Sequence, residues 1–261
     1  MLLALSPVAA SAESLVLVQG YLGDADNWRD SGITRSLQQA GWGDGGELQW
    51  SPQGIRAQGA RVAAGRSFYT LDLPTEAPLT VQLGYLERYL EFIRLRHAGE
   101  SIILVGHSAG GVLARLYMVQ HPDAGVAALV TIASPNLGTE SAELGIMAGQ
   151  SPLAMLAPML GVDTLNRSQG LFHDLARERP GSLLYWLNRQ QHPSATYVSI
   201  VRSGDDPSGM GDLVVPGWSQ DLNGVLALRG RARSLTVGSD HALGPDDAKA
   251  LVGILRSLQR S

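Results

Sequence analysis

A serine between two glycines forms the clearest chemical pattern in this sequence. Residues 102–105 are the apolar run IILV, residues 106–110 read GHSAG, and apolar residues at helical spacing follow from Val112 onward. A strand that turns tightly into a helix projects the side chain at the turn, and glycines two residues either side remove Cβ atoms that would collide. The pattern predicts Ser108 as a nucleophile, with the N–H of Ala109 directed at the reacting oxygen from a helix N-terminus.

A serine hydroxyl becomes a useful nucleophile only when a base takes its proton. The sequence has six histidines, of which His241 follows the last predicted strand and precedes the last predicted helix. That position suits the base when the chain order is serine, acid, histidine. The other five are predicted to pack in the sheet, to end helices or to belong to an insertion: His107; His97 and His121; His173 and His192.

The acid that orients the base should lie after the strand predicted at residues 196–202. Four aspartates compete for this role: Asp205, Asp206, Asp212 and Asp221. The first two stand next to Pro207, where turn composition explains them without a catalytic role. Asp240, beside His241, is interpreted as a solvated neighbour.

These residues resemble a known family. Residues 102–111 resemble the nucleophile elbow of the α/β-hydrolases, in particular bacterial lipases and esterases, and residues 15–23 (LVLVQGYLG) are similar to their first strand and oxyanion loop. Residues 134–139 (SPNLGT) are similar to their loop after the strand that follows the elbow. The sequence departs from the family by having Gln19 and Asn136 where histidine is common, which bears on the substrate subclass and leaves the elbow intact.

The resemblance implies the remaining site residues. Residues 211–216 (GDLVVP) resemble the Asp-x-x-Val-Pro turn that carries the family's acid, which favours Asp212, with Asp206 as the alternative. The loop after the first strand is the expected source of the second oxyanion donor, the backbone N–H of Tyr21 or Leu22. Neither a cofactor nor a metal is expected, and the aspartates near residue 205 lack the spacing of a recognised calcium site.

The elements that must position these residues alternate along the chain, which is typical of a parallel sheet with crossover helices. The sequence predicts an α/β-hydrolase fold with a mostly parallel central sheet, helices on both faces and an inserted helical cap. Strands are predicted at 14–19, 47–50, 67–73, 101–105, 126–133, 196–202 and 233–237, and helices at 33–40, 78–98 and 245–259. Residues 41–46 spell G-x-G-x-x-G but follow a helical pattern, so they are interpreted as a flexible loop and not as a dinucleotide site.

Residues 140–192 are too many for a simple crossover and are predicted to form the cap, which leaves residues 13–139 and 193–261 as the hydrolase core. Helical patches at 143–147, 153–160 and 170–188 are rich in large apolar side chains. Unbranched Met side chains adapt to apolar ligands, so Met155, Leu156 and Met159 are candidate substrate contacts. The alternative is that these residues form the cap's own core.

Composition excludes several classes of protein. The 261 residues are 44% hydrophobic and 17% charged, with a net charge of −4 and no basic block, so neither a disordered chain nor a nucleic-acid surface is expected. The absence of cysteine excludes thiol catalysis and thiolate metal sites. Lys249 is the only lysine and fits neither a phosphate loop nor an S-x-x-K nucleophile.

Residues 1–12 (MLLALSPVAASA) are apolar and end in a small-x-small pattern, but they lack basic residues. They are interpreted as the remnant of a secretory signal, which predicts a secreted or periplasmic protein. The alternative is an ordinary N-terminus and a cytoplasmic protein.

The functional hypothesis is a serine hydrolase that cleaves apolar carboxylic esters through an acyl-enzyme. Its partner would be a small-molecule or lipid ester, with transient contact between the cap and a lipid surface as a further hypothesis. The alternatives are a thioesterase or acyltransferase with the same triad, and a catalytically silent binding module on the same fold.

Overall fold

The structure is a computed structural model, and it describes residues 13–60, 65–149, 164–203 and 212–260. The segment interpreted as a signal remnant lies outside these ranges. So do Met155, Leu156 and Met159, together with Asp205 and Asp206. Within the described ranges, no helix combines the length and the apolar character that a membrane span requires.

A single sheet of eight strands forms the centre of the described fold, and it confirms the predicted α/β architecture. The strands lie in the order β3-β2-β4-β1-β5-β6-β7-β8; β3 is antiparallel to β2 and the other neighbours are parallel. Their bounds are β1 Glu13–Val18, β2 Gly43–Ser51, β3 Gly54–Gln58, β4 Ser67–Leu71, β5 Ser101–His107, β6 Val126–Ile132, β7 Thr196–Val201 and β8 Ala232–Thr236.

Helices cover both faces of the sheet, which explains why the central strands are apolar throughout. In β1, Val16 and Val18 join one apolar core, while Leu15 and Leu17 join the core on the opposite face. The helices are α1 Ala25–Asp30, α2 Ile33–Gln39, α3 Leu79–Arg96, α4 Ala109–Gln120, α5 Glu140–Gly149, α6 Thr164–Arg167, α7 Gln169–Leu175, α8 Leu183–Leu187, α9 Gly217–Gln220 and α10 Pro245–Leu258.

The interpretation of residues 41–46 as a flexible loop was wrong. Strand β2 begins at Gly43, and its pairing with β4 shifts register between Asp44 and Glu47. Gly46 takes a φ of +89° at this irregularity, and its N–H donates to the buried Asp44 carboxylate at 2.9 Å. The glycines therefore form part of a bulged strand. The sequence pattern suggested only a dinucleotide site or a loop for these residues.

Two short elements near the start of the chain were not predicted from the sequence. Helix α1 begins after Asp24, whose side chain accepts from the N–H of Asn27, while the Asn27 side chain accepts from the N–H of Asp24. This reciprocal cap is readable as Asp-x-x-Asn, but the helix is too short to show an apolar stripe. Strand β3 forms a hairpin with β2 and has an exposed edge, so its apolar pattern is weak.

Helices α5 to α8 lie between β6 and β7, in the segment predicted as the cap. Leu171, Leu175, Leu184 and Leu187 from α7 and α8 are buried in the same apolar core as the helices α3 and α4. The predicted patch at 170–188 is divided into two helices by residues 176–182, which include a turn where Pro180 precedes Gly181 with its φ of +89°. Part of this segment is therefore continuous with the main core.

A buried arginine links this segment to the sheet. The guanidinium of Arg115, on α4, donates to the side-chain oxygens of Asn136 at 3.1 Å and Asn188 at 2.6 Å. Its Nε also faces Nε2 of His192 at 3.4 Å. Because His192 Nδ1 must donate to the carbonyl of Gln190 at 2.9 Å, Nε2 carries the lone pair that accepts from Arg115. Burial and the Arg115 charge lower the pKa of His192 from 6.5 to about 4.

We expect the free energy of unfolding to fall as the pH is lowered from about 6.5 towards 4, because the unfolded chain binds a proton at His192 that the folded protein excludes. One such group contributes about 1.4 kcal/mol per pH unit in this window. Urea unfolding of His192→Gln between about pH 7 and 5 should therefore show a shallower pH dependence than the native protein. His121→Gln, at a half-exposed histidine, is the control, and equal slopes for native protein and His192→Gln would contradict the assignment.

Candidate active site

Ser108 stands at the turn between β5 and α4 in a strained backbone conformation, with φ +52° and ψ −129°. The flanking glycines make this turn possible. A Cβ at Gly106 would lie 2.4 Å from the backbone of Gly111, and one at Gly110 would lie 2.2 Å from the carbonyl oxygen of Val18. Both distances are too short for any side chain, so the tight turn that the sequence predicted depends on these two glycines.

The structure brings the three predicted catalytic side chains together from three different loops. His241 Nε2 lies 3.0 Å from Ser108 Oγ, and His241 Nδ1 lies 2.8 Å from Asp212 Oδ2. Because an ionised carboxylate only accepts, Nδ1 carries the proton, and Nε2 is left to accept from the Ser108 hydroxyl. This arrangement can remove the hydroxyl proton as the serine oxygen attacks an electrophile.

The Asp212 carboxylate has four hydrogen-bond donors. Oδ1 accepts from the backbone N–H groups of Val214 and Val215, each at 2.9 Å, while Oδ2 accepts from His241 and from Gln220 Nε2 at 3.0 Å. Burial alone would raise the pKa of Asp212, but the hydrogen bond from His241, the charge of its imidazole and the two N–H donors lower the pKa below 3.8. Asp212 is therefore ionised at neutral pH and can stabilise a protonated His241.

Gln220 was not identified from the sequence. Its side chain is buried, and it also donates to the carbonyl of Val215 at 2.6 Å and accepts from the N–H of Arg202 at 2.8 Å. Gln220 follows the residues Pro-Gly-Trp-Ser, and no sequence motif at this position indicates a role in an active site. Only the fold brings α9 against the end of β7, where this side chain joins the acid to the neighbouring strand.

A buried ion pair holds the loop that carries His241. The guanidinium of Arg202, at the end of β7, binds both carboxylate oxygens of Asp247 at 2.6 and 3.0 Å. It also donates to the carbonyls of Val237 and Ala242, on either side of His241. Such bidentate pairs are geometrically specific, and loss of one partner would leave a buried charge. The sequence pattern placed Arg202 inside the strand predicted at 196–202 and identified neither member of this pair.

The sequence predicted that His107 lies within the packing of the sheet, but its side chain contacts the loop that carries His241. Its Nε2 donates to the carbonyl of His241 at 2.9 Å, and the two imidazole rings are 5.2 Å apart. The edge of Trp28 packs against its ring. Burial and the neighbouring His241 lower the pKa of His107 from 6.5 to about 3, so it remains a neutral donor at neutral pH.

Two backbone segments predicted to supply oxyanion donors, the start of α4 and the loop after β1, lie close to Ser108. Helix α4 begins at Ala109, so the N–H of that residue has no partner within the helix and is free for a ligand. Across from it, a Cβ at Gly20 would lie 2.6 Å from the Ser108 Cβ, which places the loop of Tyr21 and Leu22 directly against the nucleophile. Leu22 has a φ of +55°, which marks a strained turn in this loop.

The remaining candidates have other contacts or lie outside the described residues. Asp221 accepts from the N–H of Asn223 and the hydroxyl of Ser234, so its carboxylate stabilises its own turn and joins that turn to β8. Met155, Leu156 and Met159, with Asp205 and Asp206, are outside the described ranges. In the part of the chain that is described, no cluster of three His, Asp or Glu side chains has an arrangement suited to a metal ion.

Comparison with known proteins places this chain among hydrolases. A family model described as alpha/beta hydrolase fold matches residues 69–251. A poly(3-hydroxyalkanoate) polymerase subunit of Allochromatium vinosum is 24% identical over 75% of this chain, which spans 63% of that protein's length.

Solved structures share the fold at low sequence identity. The mature lipase BlEst2 of Bacillus licheniformis is 18% identical, with a TM-score of 0.56 and coverage of 97% of this chain and 94% of the other. The RedJ thioesterase of Streptomyces coelicolor is 14% identical, with a TM-score of 0.55 and coverage of 97% and 87%. At these identities the likeness is one of fold.

The contacts at this site predict how Ser108 reacts with a fluorophosphonate, a probe for activated serines. His107→Phe keeps a ring against Trp28 but removes the donor to the His241 carbonyl. We expect its second-order rate of labelling to fall by about tenfold, because the imidazole loses one of its orienting contacts.

Peptide mapping after labelling should locate the modification at Ser108, and Ser108→Ala should remain unlabelled. His121→Phe makes the same change at a half-exposed histidine directly after the C-terminal end of α4, and it should label at the native rate. Modification at a different serine would overturn the site, and an unchanged rate for His107→Phe would show that His107 does not orient His241.

Proposed function

Because this chain belongs to the α/β-hydrolase fold family, we propose that it is a serine hydrolase that cleaves carboxylic esters through an acyl-enzyme intermediate. The observation that carries this proposal is the continuous line of hydrogen bonds from Ser108 through His241 to the ionised Asp212. A serine hydroxyl, a neutral imidazole and a buried carboxylate in this order are the requirements for nucleophilic attack on an acyl carbon.

Each residue has a defined part in the proposed reaction. Ser108 Oγ attacks the ester carbonyl while His241 Nε2 takes its proton, and Asp212 stabilises the resulting imidazolium. The N–H of Ala109, with that of Tyr21 or Leu22, stabilises the oxyanion. His241 then returns the proton to the leaving alcohol, and water, activated by the same imidazole, releases the acid from Ser108.

Similar proteins extend the range of reactions that this triad could perform. The thioesterase of Streptomyces coelicolor and the polymerase subunit of Allochromatium vinosum support thioester cleavage and acyl transfer as the alternatives. An alcohol or thiol leaving group requires the same attack at the acyl carbon, so the triad alone does not discriminate between them. The intact hydrogen-bond line argues against a silent binding module, because such a module has no need for it.

Ester cleavage is tested by comparing ethyl esters and ethyl thioesters of short and long fatty acids. We expect the esters to be hydrolysed and Ser108→Ala to abolish turnover. Asp212→Asn should lower kcat by about ten-thousandfold, because no carboxylate then holds the imidazole of His241 in the required tautomer or stabilises its protonated form. Asp221→Asn is the matched control, since it makes the same change at an acid whose partners, Asn223 and Ser234, lie outside the proposed triad.

The outcome separates the alternatives. Faster cleavage of thioesters than of esters would assign a thioesterase, and transfer of the acyl group to an added alcohol would assign an acyltransferase. Absence of turnover on every substrate, with Ser108 unlabelled, would leave only the binding module.

Contact with a lipid surface remains a proposal. Apolar side chains are exposed beside Asp212, at Leu213, and on α5, at Leu144 and Met147. The two segments adjoin, because the Ser141 hydroxyl donates to the carbonyl of Leu213 at 3.3 Å. An exposed apolar surface next to the active site suits contact with an aggregated ester.

We therefore expect the rate on a long-chain ester to rise steeply when the substrate concentration passes the point of aggregation. Leu144→Ser should weaken this rise and leave the rate on a short soluble ester unchanged, because it removes exposed apolar area outside the triad. A rate that stays flat across the aggregation point would exclude activation at a lipid surface.

A further inference from the structure

A cavity of about 370 Å³ lies beside the nucleophile elbow. Three segments form its walls: the loop after β1, the C-terminal part of α1, and the residues directly after His241. Its lining includes the side chains of Leu22, Asn27, Asp30, Ser31 and Leu243. None of them takes part in the chemical steps described above.

The direction of proton transfer indicates which half of an ester this cavity faces. His241 must deliver its proton to the leaving oxygen, so that oxygen lies within hydrogen-bond distance of Nε2. Ala242 and Leu243, which directly follow His241, line the cavity, so an alcohol that extends along this loop would enter it. The ring of Tyr21, which also lines the cavity, contacts Phe172 of α7 at a centroid distance of 5.3 Å, so the loop after β1 contacts both the cavity and the segment predicted as the cap.

Polar groups on one wall of the cavity are suited to hydroxyls. Asn27 uses its Oδ1 to accept from the N–H of Asp24, which leaves its Nδ2 to donate. The Ser31 hydroxyl donates to the carbonyl of Trp28 and keeps its lone pairs as acceptors. The exposed carboxylate of Asp30, one turn along α1 from Asn27, is a strong acceptor for a hydroxyl proton.

The charge of the lining is negative. Among the described residues that line the cavity, Asp30 is the one acidic side chain, and neither lysine nor arginine is present. The adjacent Arg29 is paired with Asp44 at 2.9 Å. A phosphate or carboxylate on the alcohol would therefore meet repulsion, whereas a neutral hydroxyl would gain a charge-assisted hydrogen bond. Leu22 and Leu243 provide apolar surface for a carbon skeleton.

We propose that this cavity receives the alcohol part of the ester and selects neutral alcohols that carry further hydroxyl groups, as a polyol does. The proposal rests on the ester hydrolysis proposed above and adds the class of leaving group. It also disfavours acyl carriers with several phosphates, because their charges would approach Asp30.

Three butyrate esters with the same acyl group test this assignment: glyceryl monobutyrate, propyl butyrate and O-butyryl glycolate. We expect the native protein to show the highest kcat/KM on the glyceryl ester and the lowest on the glycolate ester. Asp30→Ala should lower kcat/KM on the glyceryl ester by about three- to tenfold and leave the propyl ester unchanged, since an exposed hydrogen bond contributes modestly. Asp30→Arg should raise kcat/KM on the glycolate ester.

Asp26→Ala removes a carboxylate from the same helix outside the cavity and serves as the matched control. An equal loss on all three esters in Asp30→Ala would assign Asp30 a structural role and overturn the proposal, as would an unchanged preference. Failure of the ester hydrolysis itself is distinguishable, because then propyl butyrate would not be hydrolysed by the native protein at a rate above that of Ser108→Ala.

Discussion

The hydrogen bond between Ser108 and His241 is the contact on which the rest of the site depends. Its partners are separated by 133 residues, and each is carried by a loop at the carboxyl edge of the sheet. Parallel strands direct all their carboxyl ends to one edge, so a strand-to-helix turn, an acid loop and a histidine loop can meet there. The strained backbone of Ser108 is stable only because the closely packed glycines and β1 hold it.

The two loops that carry the acid and the base are stabilised as one unit. Gln220 binds Asp212 and also accepts from the N–H of Arg202, while the Arg202 side chain holds the carbonyls around His241 and the carboxylate of Asp247. Buried polar groups are costly unless they are satisfied, so a network of this kind favours one arrangement of both loops. His107 adds a neutral donor to the same loop from the elbow itself.

Much of the fold was readable in the sequence because burial on both faces leaves long apolar runs in the central strands. The strand that ends in Ser108 and the stripe of α3 are of this kind. Strand β3, helix α1 and the bulge in β2 were missed, since short or edge elements bury too little surface to leave a pattern. Residues 41–46 were assigned to a loop because their glycine motif alone does not reveal that β2 pairs with β4.

The sequence by itself determined the elbow, because the sterics of that turn depend on residues next to Ser108. It also determined the order of elements along the chain, which selects His241. Only the tertiary structure decided which donors surround Asp212, which ion pair holds the His241 loop, and which cavity adjoins the elbow. Those contacts join residues far apart in the chain. Glutamine, arginine and aspartate side chains acquire such roles from their burial and from their hydrogen-bond partners. The residues next to them in the sequence predict neither the burial nor the partners.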